Sequence, residues 1–182
     1  MKRTALALVM ALVLFGCNSS FTTSVPPSDV PDVPPASRKG APDFNLENVA
    51  GGLTKADELK GKVSVIDFWA TWCQPCIVEI PNFNLLHEEY KGKDVNVIAI
   101  TVESAHDDIA PKVKETGMRY PVLVGNDEVV DGFGGIVGFP TTFVVTKDWK
   151  VYKRYMGALP DKRARIKKDI EKLLAEESST TD

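Results

Sequence analysis

Cys73 and Cys76 enclose only Gln74 and Pro75, and this C-x-x-C pair follows an unbroken apolar run and opens a helix-like segment. Two intervening residues at a helix start bring both sulfurs to disulfide distance. The unpaired N–H groups and the positive end of the helix dipole favour negative charge on the first sulfur, so Cys73 is expected to be the thiolate. A free cysteine titrates near ~8.5, and in C-x-x-C settings the value falls to roughly 3.5–7.5. Pro75 suits the first helical turn, where its missing N–H costs nothing, and Cys76 is carried one turn inward, where its thiol is shielded. The competing uses of such a pair are a zinc half-site or an inert bridge. Tetrahedral zinc needs four ligands, and the chain offers no second C-x-x-C or H-x-x-x-H pair, only the solitary His87 and His106, so no metal and no cofactor is expected. A purely structural bridge of this span would constrain little of the unfolded chain. Redox work on a dithiol is the better account.

The elements that must position the pair alternate strand and helix. Residues 63–69 and 95–102 are nearly continuous apolar runs, expected as central strands of a largely parallel sheet. Between them, residues 76–90 place Ile80, Phe83, Leu86 or His87, and Tyr90 on one helical face, with a kink expected at Pro81. A weaker helix over 107–116 is closed by Gly117, and residues 120–124 read as a short strand. Residues 141–146 and 151–156 flank Lys147-Asp148-Trp149-Lys150 as a hairpin, with Trp149 structural. Asp161 then caps a closing helix through about residue 174, with Ile166, Ile170, Leu173 and Leu174 inward. The cluster Lys162, Arg163, Arg165, Lys167 and Lys168 is interleaved with Asp161, Asp169 and Glu171, which reads as the solvated face of that helix. The pattern is βαβ units followed by ββα, hence a single α/β domain over 40–175.

Upstream of the domain the composition changes twice. Lys2 and Arg3 precede an apolar stretch over 5–15, too short for the ~20 residues of a membrane span but suited to a signal-peptide core. It ends in Leu14-Phe15-Gly16-Cys17, which resembles the lipobox of bacterial lipoproteins, so residues 1–16 read as a leader and Cys17 as a lipidated N-terminus; the competing reading is an ordinary secretory signal. Lipidation also accounts for the odd cysteine left once the C-x-x-C pair is set aside. Residues 17–39 then carry Pro26, Pro27, Pro31, Pro34 and Pro35 among small polar residues, the composition of a semi-extended tether. Residues 176–182 form a small, polar tail. At 43% hydrophobic and 26% charged the chain has ordinary globular composition. Removing Lys2 and Arg3 with the leader takes its net charge of −3 to −5, and a mildly acidic exported domain is a poor binder of nucleic acid.

These residues together carry a family resemblance. Asp67-Phe68-Trp69-Ala70-Thr71-Trp72-Cys73-Gln74-Pro75-Cys76, then Pro81, then Gly138-Phe139-Pro140-Thr141, then Gly157-Ala158-Leu159, resemble thioredoxin in order and spacing across nearly the whole domain. An Ala41-Pro42-Asp43-Phe44 opening, an extra stretch over about 104–137, and Glu79 three residues after Cys76 are similar to the membrane-tethered TlpA-like or ResA-like branch. The resemblance implies a thioredoxin-like α/β fold: a central mixed β-sheet flanked by helices, with an N-terminal hairpin extension and a central insertion. It implies that Pro140 is a cis proline facing the dithiol and exposes the Phe139 backbone to a substrate strand, with Trp72, Gln74 and Pro75 completing the substrate face. Trp72 is expected to be partly exposed and Trp69 packed. Asp67 in a buried strand should have a raised pKa, and a carboxyl near neutrality can shuttle a proton to Cys76. Thioredoxin pairs this aspartate with a lysine on the neighbouring strand, where this chain has Ala99. Asp67, Glu79 or both are therefore open as the partner of Cys76, the alternative for Glu79 being an exposed helix position.

The expected reaction is reduction of exported protein disulfides: Cys73 attacks, Cys76 resolves, and a membrane thiol donor restores the dithiol. The same resemblance implies a task found in the family, keeping the haem-binding cysteines of apocytochrome c reduced, and a monomer held at the bacterial cell envelope. Two other functions stay in view. A peroxiredoxin-like enzyme would carry P-x-x-x-T-x-x-C around its cysteine, which is absent here, and a copper-binding module of the same fold would carry a wider C-x-x-x-C and a distal histidine.

Overall fold

Residues 63–69 (VSVIDFW) are buried along their whole length, the signature of a strand covered on both faces, and they form the centre of the sheet. The computed structural model describes residues 34–178; the leader, Cys17, the tether before Pro34 and residues 179–182 lie outside them. In chain order the elements are β1 (Asn45–Asn48), β2 (Leu53–Lys55), β3 (Val63–Trp69), α1 (Gln74–Tyr90), β4 (Val95–Thr101), α2 (His106–Thr116), β5 (Val122–Val124), α3 (Asp127–Gly132), β6 (Thr141–Val145), β7 (Val151–Met156) and α4 (Lys162–Ser178). They build one seven-stranded sheet in the order β2-β1-β5-β4-β3-β6-β7.

The sheet is mixed, as the resemblance to thioredoxin implies, and only the reading of the apolar runs as a largely parallel sheet is corrected. Only β3 with β4 and β4 with β5 run parallel, because only those pairs are joined through helical crossovers, α1 and α2. β1 with β2 and β6 with β7 are joined by short turns, which permit antiparallel pairing alone, and β6 lies antiparallel on the other side of β3. β1 and β2 are the N-terminal hairpin, added to the sheet through β5. The stretch over 104–137 contains α2, β5 and the short α3, whose Asn126 side chain accepts from Val129 N–H as an N-cap.

Alternation along β3 divides the core. Val63, Val65 and Trp69 face a layer made by α1 and α4 through Phe83, Leu86, Tyr90, Ile166, Ile170 and Leu173. Ile66 and Phe68 face the opposite layer, where Phe133, Phe143, Val129 and Trp149 pack. α1 continues as one helix through Pro81, and its buried Asn84 ties it to the α2–β5 loop, donating to Gly117 O and accepting from Arg119 N–H. At the N-terminal edge, Gly40 bridges Lys150, and Arg38 pairs with Glu176 and lies over the Tyr152 ring. Among the described residues, no helix is long and apolar enough to cross a membrane.

Candidate active site

The dithiol sits where the carboxyl end of β3 turns into α1, at the point where the strand order reverses between β4 and β6, a crevice that open α/β sheets use for ligands. Cys73 is the N-cap of α1, its sulfur accepting from Cys76 N–H at 3.2 Å, with Pro75 in the first turn. The two sulfurs are bonded at 2.06 Å, so the structure is the oxidised state. Both cysteines are buried, while Gln74 and Pro75 are exposed.

The loop before Cys73 is held by the end of β4. Thr71 N–H donates to Ser104 Oγ, which donates in turn to Val102 O, and Trp72 Nε1 donates to Glu103 O at 2.7 Å. Glu103 adopts a positive φ of 49°, a conformation uncommon for a residue with a side chain, and that conformation presents its carbonyl to the indole. Trp72 is 62% exposed and meets Phe139 edge-on at 5.7 Å, whereas Trp69 is packed in the core. The Phe139–Pro140 bond is cis. Residues 72–75 on one side and 136–139 on the other, with Glu103, line an open groove of about 550 Å³ over the dithiol. The exposed apolar side chains of Trp72 and Val137 flank it.

On the α1/α4 side of the sheet lies a buried polar chain. Asp67 stands opposite Thr142 in the β3–β6 register and opposite Ala99 in the β3–β4 register. Thr142 Oγ1 donates to Asp67 Oδ1 at 2.6 Å. Lys162 Nζ donates to Thr142 Oγ1 at 3.3 Å and to Glu79 Oε2 at 2.7 Å. Glu79 also accepts from the Leu159 backbone N–H. Burial pushes the Asp67 carboxyl up from 3.8 to about 7, against the opposing pull of Lys162 and the Thr142 hydroxyl. Burial likewise pushes Glu79 up, with Lys162 pulling it back down.

Two readings of the sequence change here. Glu79 is 7% exposed and ion-paired, which removes the exposed-helix alternative. Lys162 does not belong to a solvated face: it is 4% exposed and supplies the cation that the Ala99 position lacks. Thr142, Glu103 and Ser104 join the site through contacts that no motif in the sequence marks. Cys17 lies outside the described residues, and His87 and His106 stay away from the dithiol groove. Among the described residues, no group of three or more His, Cys, Asp or Glu side chains could hold a metal ion.

Comparison with known proteins decides the relationship. The AhpC/TSA family matches residues 38–154. The chain belongs to that family. It is 36% identical over 121 residues to the thiol-disulfide oxidoreductase ResA of Bacillus thuringiensis (strain Al Hakam), covering 65% of this chain and 69% of that protein. Among solved structures, it is similar to a thiol:disulfide interchange protein of the thioredoxin family from Chlorobium tepidum (TM-score 0.68, 28% identity, 75% of this chain and 97% of the other). It is also similar to an exposed lipoprotein thioredoxin of Streptococcus pneumoniae (TM-score 0.65, 25% identity, 72% and 100%). The fold is thioredoxin-like, and this AhpC/TSA-family member is a thiol-disulfide oxidoreductase.

Proposed function

We propose that this oxidoreductase works in the bacterial cell envelope as a reductase of disulfides in exported proteins. The observation that carries the reading is the Cys73–Cys76 bridge, whose Cys73 lines an open groove, together with a buried carboxyl poised near neutrality on the strand that leads into it. In the reduced enzyme the Cys73 thiolate, at the positive end of α1, attacks one sulfur of a substrate disulfide. That bond breaks, a mixed disulfide forms, and the other substrate sulfur leaves as a thiolate and takes up a proton. Cys76 gives its proton to a carboxylate, Asp67 or Glu79, and its thiolate attacks Cys73 Sγ. The second substrate sulfur is released, so two electrons have passed to the substrate and the enzyme holds its own disulfide. A membrane dithiol donor returns two electrons and two protons. Trp72, Gln74, Pro75 and the backbone around Phe139 and Pro140 receive the substrate segment, with Trp72 and Phe139 offering an aromatic rim.

The envelope assignment rests on the apolar leader and on Leu14-Phe15-Gly16-Cys17, with Cys17 as the lipid attachment point and the proline-rich segment as a spacer for a monomeric domain. The likeness to an exposed lipoprotein thioredoxin supports it. Apocytochrome c, with its paired haem-binding cysteines, is a substrate of the proposed class. The test is Cys76→Ser expressed in the native envelope: Cys73 should accumulate mixed disulfides with exported proteins, and an absence of adducts while substrate is present refutes the reading. Cys17→Ser should move the protein from the membrane to the soluble fraction.

A further inference from the structure

The least expected group in the interior is the Lys162 ammonium. It opens α4, ninety-six parts in a hundred of it is covered, and its two acceptors come from different elements, Glu79 from α1 and Thr142 from β6. The donors along this chain point one way: Lys162 Nζ–H to Thr142 Oγ1, then Thr142 Oγ1–H to Asp67 Oδ1. Two carboxyls thus share one cation, although they stand on different elements and no hydrogen bond joins them directly. A buried cation with two such partners is costly to retain for stability alone, since apolar replacements of buried ion pairs are often neutral or better.

We propose that Lys162 is a positioning residue for the dithiol chemistry, holding Glu79 and, through Thr142, Asp67 as one coupled acceptor for the Cys76 proton. The inference rests on Cys76 being the resolving thiol. Glu79 lies three residues after Cys76 on the same helix, hence on the neighbouring face, and Asp67 lies on the strand that leads into the dithiol. The arrangement makes the ionisation of Asp67 depend on both the Lys162 cation and the charge on Glu79. A second cleft of about 510 Å³, between α1 and residues 158–166, is lined by Glu79 and Lys162 and shares no lining residue with the dithiol groove. A proton taken from Cys76 can therefore leave for solvent there while substrate covers the groove.

The groups facing the pair can be named element by element. They are Asp67 on β3, Glu79 on α1, the Tyr120 phenol ahead of β5, whose pKa burial and then both carboxylates push upward, and Lys162 on α4, with Asp161 and Arg163 beside it at the second cleft. Burial raises both carboxyls, Glu79 raises Asp67 further, and Lys162 is the cation that lowers them. Removing it must move both titrations to higher pH.

The test uses carboxyl-carbon NMR titration of the oxidised protein, in which the cysteines do not titrate, beside the pH profile of mixed-disulfide resolution in the reduced enzyme. In Lys162→Met the Asp67 and Glu79 midpoints should rise by about one pH unit or more, and resolution below the midpoint should slow about tenfold. Lys162→Arg should restore most of both. If Lys162→Met does not fold, Lys162→Met/Glu79→Gln removes both charges, and Asp67 should still titrate above its wild-type midpoint, because Lys162 acts on it more strongly than Glu79. Unchanged carboxyl titrations in whichever variant folds overturn the proposal. Shifted titrations with an unshifted resolution profile overturn it too, since the pair would then not be the acceptor. A failure of Cys76 as resolving thiol is seen separately, as resolution surviving in Cys76→Ser.

Discussion

Asp67→Asn should make the oxidised protein more stable above neutral pH, by an amount that builds up as pH rises to about 7 and is constant beyond it. The wild-type carboxyl is held at about 7 against an ordinary 3.8, so between roughly pH 4 and 7 the folded protein keeps a proton that the unfolded chain has released. Stability must fall as pH rises through that window and level off above it. A difference of about 3 pH units, at 1.36 kcal/mol per unit, sets a ceiling of roughly 4 kcal/mol on the loss. Asparagine removes the titration while keeping an oxygen for the Thr142 hydroxyl, but adds an amide NH2 whose lack of a partner costs about 1–3 kcal/mol. The difference between variant and wild type should therefore change by roughly 3 kcal/mol from pH 5 to pH 9 in favour of the variant, whatever its starting value. Urea unfolding with the disulfide intact, at unit steps across that range, measures it. Parallel curves for the two proteins would mean that Asp67 does not titrate near neutrality, and its assignment as a proton acceptor would fall with that result.

Glu79→Gln should slow resolution by Cys76 about 10–100-fold, less than the roughly 10²–10⁴ a positioned base supplies because Asp67 remains, and leave the initial attack by Cys73 within about twofold; stopped-flow separation of the two steps reads this. Trp72→Ala removes an exposed ring that touches Phe139 edge-on, so the stability loss should stay below about 1.5 kcal/mol. Its KM for a folded protein disulfide should rise several-fold while turnover of a small aromatic disulfide is largely kept. Gly125→Ala would place a Cβ 2.6 Å from Val102 Cγ1, 2.7 Å from Ile100 Cγ2 and 3.0 Å from Thr101 O, where the β-strand cannot retreat. A loss of about 1–3 kcal/mol in urea unfolding is expected, with the dithiol chemistry intact.

The parts legible in the sequence were those written locally. The spacing of Cys73 and Cys76 after an apolar run fixed the turn from β3 to α1, and two apolar runs around four turn residues gave the β6–β7 hairpin. Strand direction was not local: β6 reads TTFVV and is buried throughout, so by apolar pattern alone it is indistinguishable from a parallel strand. The six residues of α3 span too few turns to show a helical period. Lys162 was hidden differently. Lys162, Ile166 and Ile170 recur every four residues, which places all three on one face of α4, and that face is the buried one. A charge within a basic run ordinarily faces water, and that rule points against the period at Lys162. What reversed it is a pairing no local pattern encodes: Asp67 has only Ala99 beside it on β4, and the cation arrives instead from the start of the last helix, joined through Thr142 and Glu79. A buried acid whose neighbouring strand offers no cation is therefore a reason to look for a lysine on the inward face of a distant helix, because the acid's charged form is tolerated only where some opposite charge reaches it.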